Sequence, residues 1–241
     1  MDNLWLTIAA FSTSLLTALV GLGGGVVLIL LMPGLMPLQA IIPVHALVQF
    51  VSNLSRVVFA VREVDWHFIP PVLLGSFVGA LVGSQTVGLV SLPWLPAVAG
   101  VLILFVTWIP LDRLVPTGRW ALVALGFYQT GLGMLAGATG PLGAAVLARI
   151  RSQRDWLVVN TGVYMMVNHG VRAVAFGLLG FSFAPWINTI IWMSFGMVTG
   201  ALVGTRLRQS LPQQNFETIF RWVVTVLALR MVGLTVMDQL G

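Results

Sequence analysis

Apolar residues run along this 241-residue chain in eight blocks, at roughly 4–32, 38–61, 67–90, 94–111, 119–148, 156–179, 184–207 and 216–237. An α-helix crosses a bilayer in about 20 residues. The first and fifth blocks are longer than that, and both are interrupted. The first contains Gly21-Leu22-Gly23-Gly24-Gly25 and the fifth Gly137-Ala138-Thr139-Gly140-Pro141. Glycine and proline at this density break a helix. The pattern therefore predicts a broken segment followed by three helices, twice over.

The two breaks belong to an internal duplication. Gly21 and Gly137 stand 116 positions apart, and so do Gly24 and Gly140, and Arg56 and Arg172. A second pair of motifs recurs at a slightly larger offset, Gly75-Ser-Phe-Val-Gly79-Ala-Leu-Val-Gly83 and Gly196-Met-Val-Thr-Gly200-Ala-Leu-Val-Gly204. The predicted halves are 1–112 (hairpin 4–37, helices 38–61, 67–90 and 94–111) and 113–241 (hairpin 119–148, helices 156–179, 184–207 and 216–237). Duplication in a chain this apolar points to a transporter built from two related halves.

Composition narrows the class. Hydrophobic residues make up 58% and charged residues 8% of the chain, against roughly 25% charged in soluble domains. This is an all-α polytopic membrane protein, expected in the cell inner (plasma) membrane with the lipid bilayer as partner. The net charge of +5 comes from arginine alone and sits in short connections, so it reads as a topology signal and not as a nucleic-acid surface. There is no cysteine, which excludes disulfides and thiolate chemistry. The start Met1-Asp2-Asn3-Leu4-Trp5 lacks the basic stretch of a cleaved signal peptide.

The arginines constrain the topology. Arg56 and Arg62 lie near the second connection, Arg113 and Arg119 in the fourth, Arg149, Arg151 and Arg154 in the fifth, and Arg206, Arg208 and Arg221 flank the seventh. Eight plain crossings would put the fourth and fifth connections on opposite sides, although both are basic. If each glycine-broken segment re-enters and returns, every basic loop becomes cytoplasmic, as the positive-inside rule requires. Both termini then lie outside. The halves acquire opposite orientations: two inverted repeats, each a re-entrant helical hairpin plus three transmembrane helices. Eight plain crossings with a weak charge bias remain the alternative.

Irregular backbone at membrane depth must be covered by protein or line a water-filled cavity. After each tip a short helix is expected to start, near Val26 and Leu142, with free N–H groups and a positive dipole end facing inward. Such ends bind anions, which singles out Gly23, Gly24, Gly25, Thr139, Gly140 and Pro141. No Lys-Ser/Thr follows the tips, so neither is a nucleotide-binding P-loop. The alternative is that the glycines serve close helix packing alone.

The second and sixth segments add side chains. His45, Gln49, Asn53 and Arg56 lie on the second, and Thr161, Asn168, His169 and Arg172 on the sixth. Gln49, Asn53 and Arg56 share one helix face. At the 116-residue offset, His45 corresponds to Thr161 and Asn53 to His169. Polar groups at matching places in two apolar helices suggest a lined path. Arg56 and Arg172 would sit at its two mouths and gather anions, the alternative being snorkelling to headgroups. Arg230 lies mid-segment without a counterpart. The histidines form no metal motif, and no metal or cofactor is expected. The glycine stripes read as close-packing faces, either within the chain or in a homodimer.

The Gly-Leu-Gly-Gly-Gly tip, its Gly-Ala-Thr-Gly-Pro copy and the paired Gly-Ala-Leu-Val-Gly segments resemble the TauE/SafE sulfite exporter family over essentially the whole chain. The duplicated order carries the likeness. Many members have a Gly-Gly-Pro second tip where this chain has Thr139-Gly140-Pro141, which leaves the substrate open. The resemblance implies a membrane transporter of a small sulfur-containing anion, sulfite or an organosulfonate, and no enzyme activity. No paired carboxylates lie within the segments, and every acidic residue lies at or beyond a segment end. An inside-negative potential drives anions outward at about 2.3 kcal/mol per charge per 100 mV, so export with alternating access between the halves is the expectation. A histidine is the one candidate for proton coupling. An anion channel and a non-transporting membrane scaffold stay open as rivals.

Overall fold

A computed structural model of the chain describes residues 3–20, 24–87, 91–109, 118–137, 143, 146–147, 150–151, 153–208 and 216–240. Its helices are α1 (Asn3–Val20), α2 (Gly24–Leu31), α3 (Leu38–Phe59), α4 (Ile69–Val87), α5 (Leu95–Trp108), α6 (Arg119–Ala136), α7 (Arg154–Leu178), α8 (Ile187–Arg208) and α9 (Phe216–Leu240). Single 3-10 turns lead into α4, α5 and α8. The apolar blocks therefore map onto helices with ends shifted by a few residues. The first block is two helices, as its glycines require. α2 begins at Gly24, two residues earlier than expected, since glycine is tolerated in a first helical turn that packing supports. The expected second short helix begins at Leu142, outside the described residues, although Gly143, Val146, Leu147 and Ile150 are helical.

The core is mainly apolar, a group of polar side chains is buried within it, and the exterior is apolar as well. His45, Ser52, Ser76, Thr130 and Asn160 are fully buried, while Phe77, Leu81, Val174, Leu178, Phe195 and Val226 are exposed. Lipid accounts for the exterior, because an apolar side chain facing acyl chains has nothing to gain by burial, whereas a polar group there lacks partners. Among the described residues, four stretches are long and apolar enough to cross a membrane: Leu38–Phe59, Trp66–Val87, Ala184–Leu207 and Arg221–Leu240. α7 is 25 residues long but carries Asn160, Thr161, Asn168, His169 and Arg172 along its inner side, and it falls outside that apolar set.

The helices pair across the halves. α1 packs along α8, α4 along α6, and α3 along α7. The glycine stripes explain the first two pairings. A Cβ on Gly75, Gly79 or Gly83 would collide with the backbone of α6 at Val123, Phe127 and Gly131. One on Gly196, Gly200 or Gly204 would collide with the backbone of α1 at Thr7, Phe11 and Leu15. The stripes thus meet neither each other nor, at these atoms, a second subunit. Each seats a helix distant in sequence, α6 on α4 and α1 on α8. Ser14 Oγ adds a hydrogen bond of 2.6 Å to the Met197 carbonyl between α1 and α8. The α4–α6 pair has its own bridge, in which Ser76 and Thr130 both donate to Asn168 of α7.

Candidate functional site

α3 packs along α7, and the start of α2 and the end of α6 lie against them. Gly137 ends α6 in the left-handed region, with φ 70°, a conformation that favours glycine. A Cβ there would collide with Ile29 of α2, so the end of the second hairpin's first arm touches the second arm of the first hairpin. The first hairpin's tip meets α3: His45 Nε2 lies 2.8 Å from the Gly25 carbonyl oxygen. A carbonyl only accepts, so Nε2 carries the proton. The Gln49 amide lies 3.4 Å from the same nitrogen and occupies the space a side chain at Gly25 would need.

Arg172 closes the other side. Its Nη1 donates to the carbonyls of Gly133 (2.8 Å) and Gly137 (2.6 Å) at the end of α6. These are carbonyls that a helix C-terminus leaves without intrahelical partners, and a cation also suits the negative end of the dipole. Its Nη2 donates to Nδ1 of His169, one turn back on α7. The rings of His45 and His169 meet edge-on with centroids 5.7 Å apart. His45, His169 and Arg172 are 0%, 5% and 2% exposed, so Arg172 does not sit at an open mouth as expected from sequence. Its long side chain turns inward because the α6 carbonyls need a donor there.

Four buried polar atoms of these two helices have no partner among the described residues: His45 Nδ1, Ser52 Oγ, Thr161 Oγ1 and Arg172 Nε. His45 and Thr161 are counterparts in the repeat. Leaving such atoms unpaired costs about 1–3 kcal/mol each, which is tolerable where a ligand completes them.

The remaining residues singled out from sequence separate into groups. Asn168 is held within the protein: its Oδ1 accepts from Ser76 and Thr130, and its Nδ2 donates to the Tyr164 carbonyl. Asn53 Nδ2 donates to the Gln49 carbonyl at 2.7 Å, and the backbone at Asn53 adjoins Gly162, next to Thr161. Arg56 is half-buried. Gly24 packs against Thr13 and Thr17 of α1. Gly23, Thr139, Gly140 and Pro141 lie outside the described residues. Arg230 is exposed and lines a different cavity of about 380 Å3, with Thr235, Asp238 and Gln239.

Sequence reasoning passed over Ser14, Thr130 and Gln129. The first two are counterparts at the 116-residue offset, so the repeat held a signal for them. Tyr164 is 1% exposed, and its hydroxyl occupies the space a side chain at Gly143 would need.

A helical chain with an apolar exterior and helices long and apolar enough to span a bilayer is a multi-pass membrane protein. The sulfite exporter TauE/SafE family model matches residues 6–231, and the chain belongs to that family. No curated protein and no solved structure matches it. Family members are membrane transporters of sulfite and related sulfur anions, not enzymes.

Proposed function

We propose that this chain is a secondary transporter that exports a small sulfur oxyanion or sulfonate, bound between the hairpin tips and the α3–α7 crossing. The observation that carries this reading is the pair of buried atoms in the His45–His169–Arg172 cluster with no partner among the described residues, His45 Nδ1 and Arg172 Nε. Arg172 Nε can donate to an oxyanion, and the guanidinium also supplies charge; Ser52 and Thr161, about 10 and 16 Å away along their helices, would line the path beyond it. The N-terminal end of α2, at Gly24 and Gly25, points the same way, since the positive end of a helix dipole favours an anion.

Two further features support alternation between inverted halves, with both termini outside a plasma membrane. α1–α8 and α4–α6 are equivalent pairings, in which residues 7, 11 and 15 correspond to 123, 127 and 131 at the offset of the sequence repeat. The arginine distribution favours a re-entrant course for each hairpin. Rocking one half against the other about a fixed central site would then expose it to each side in turn.

Flux into proteoliposomes tests the reading. Sulfite, methanesulfonate and sulfate are offered with and without an imposed potential. Saturable flux with counterflow by unlabelled sulfite is the expected result. Fast flux without counterflow means a channel, and no flux of any of these anions means the assignment is wrong.

A further inference from the structure

The central cluster contains two histidines that are chemically unequal, and the difference bears on what travels with the anion. Arg172 can only donate, so Nδ1 of His169 accepts from it and has no lone pair left to offer. His45 is arranged the other way. Its Nε2–H is committed to the Gly25 carbonyl, and its Nδ1, fully buried, keeps a lone pair with no partner among the described residues. The charged and titratable side chains facing it are His169 and Arg172 of α7. α2 has none; on α6 and α8, Arg119, Arg206 and Arg208 lie at helix ends, and Tyr128 of α6 is exposed. On α3 itself, Arg56 is three turns away.

We propose that His45 is the proton-carrying group of the transport cycle: one proton is taken up at Nδ1 when the anion binds and is released when it leaves. This rests on the anion site proposed above. The step balances simply. A proton from the water-filled side of the site adds to the Nδ1 lone pair, no covalent bond to the anion forms, and the proton returns to water on the other side. A second positive charge beside Arg172 is repulsive at so buried a position, and a bound anion offsets that repulsion. Proton and anion therefore favour each other's binding, a reciprocal coupling, and the empty carrier does not carry protons. A dianion moving with one proton still transfers one net negative charge, so an inside-negative potential still drives it outward.

The chain has three histidines, His45, His67 and His169, which makes a direct test practical. Full-length protein labelled with nitrogen-15 at histidine and arginine is titrated with sulfite in detergent at neutral pH. Ring nitrogens are assigned with His45→Gln, His67→Gln and His169→Gln, and the Arg172 Nε signal with Arg172→Lys. His67 is exposed on the turn before α4, so its substitution only simplifies the spectrum. The expected result is a saturable shift of Arg172 Nε, accompanied by conversion of His45 from neutral imidazole to imidazolium. If Arg172 Nε shifts but His45 stays neutral, or His169 converts instead, the proton assignment is overturned and the anion site stands. If no site resonance moves, the anion site falls, and this inference with it.

Discussion

Gly79 of α4 lies against the Phe127 carbonyl of α6 so closely that a Cβ would overlap it. Gly200 of α8 stands in the same relation to the Phe11 carbonyl of α1. The two contacts are equivalent under the repeat, and each joins the halves. Backbone cannot retreat as a flexible side-chain end can. Gly79→Ala and Gly200→Ala are therefore each expected to destabilise the protein by about 1–3 kcal/mol, the usual cost of overpacking. Gly233→Ala in α9 is the control, because nothing lies within 4 Å of its Cβ position; it should be neutral or stabilising by up to about 1 kcal/mol from helix propensity. Thermal unfolding in detergent reads all three, and equal midpoints would remove the close-packing account.

Arg172 joins the end of α6 to α7 through three acceptors at once. Arg172→Lys keeps the charge but loses the planar fork that reaches them together. Each buried acceptor left without a donor costs about 1–3 kcal/mol. The variant is expected to unfold at lower temperature and to lose sulfite flux in proteoliposomes. Wild-type values for both would show that the guanidinium contacts matter little.

Asn168 serves as a joint between three helices, with its hydrogen bonds spent on Ser76, Thr130 and Tyr164. Asn168→Ala should lower stability by about 1–3 kcal/mol by stranding the two hydroxyls. Adding Ser76→Ala and Thr130→Val should then cost less than those changes cost in the wild type, which a double-mutant cycle measures. Strict additivity would mean the three groups do not act together.

The connection between α3 and α4 hangs on Asn160. Its Oδ1 accepts from the Asp65 N–H at 2.8 Å, and its Nδ2 donates to the Glu63 carbonyl at 3.1 Å. Asn160→Ala should speed hydrogen exchange at Asp65 while leaving α3 protected. Unchanged exchange there would show that the turn holds itself.

Topology can be read because the chain has no cysteine of its own. Arg119→Cys and Arg151→Cys place one thiol before α6 and one after the second hairpin. If that hairpin re-enters, both react with an impermeant maleimide only from the cytoplasmic side. Labelling of the two from opposite faces would make the segment a plain crossing.

The helices were legible because apolar block length and glycine interruption are local properties. The break after Val20, the starts near Leu38 and Arg119, and the glycine stripes all follow from residues close in sequence. The site was legible only in part. His45, His169 and Arg172 could be named because ionisable residues are rare in apolar segments, but Arg172 was expected at a mouth. Its inward turn depends on the carbonyls of Gly133 and Gly137, residues of another helix. Asn168 was expected on a path, yet Ser76 and Thr130 from two other helices consume its acceptor.

By itself, then, the sequence determined an all-helical membrane protein, since composition and block length need no partner to be read. Only the tertiary structure decided that the glycine stripes seat α6 on α4 and α1 on α8, and that His45 Nδ1, unlike His169 Nδ1, has no partner among the described residues. Which donor meets which acceptor depends on where distant helices cross, and no local pattern encodes that crossing.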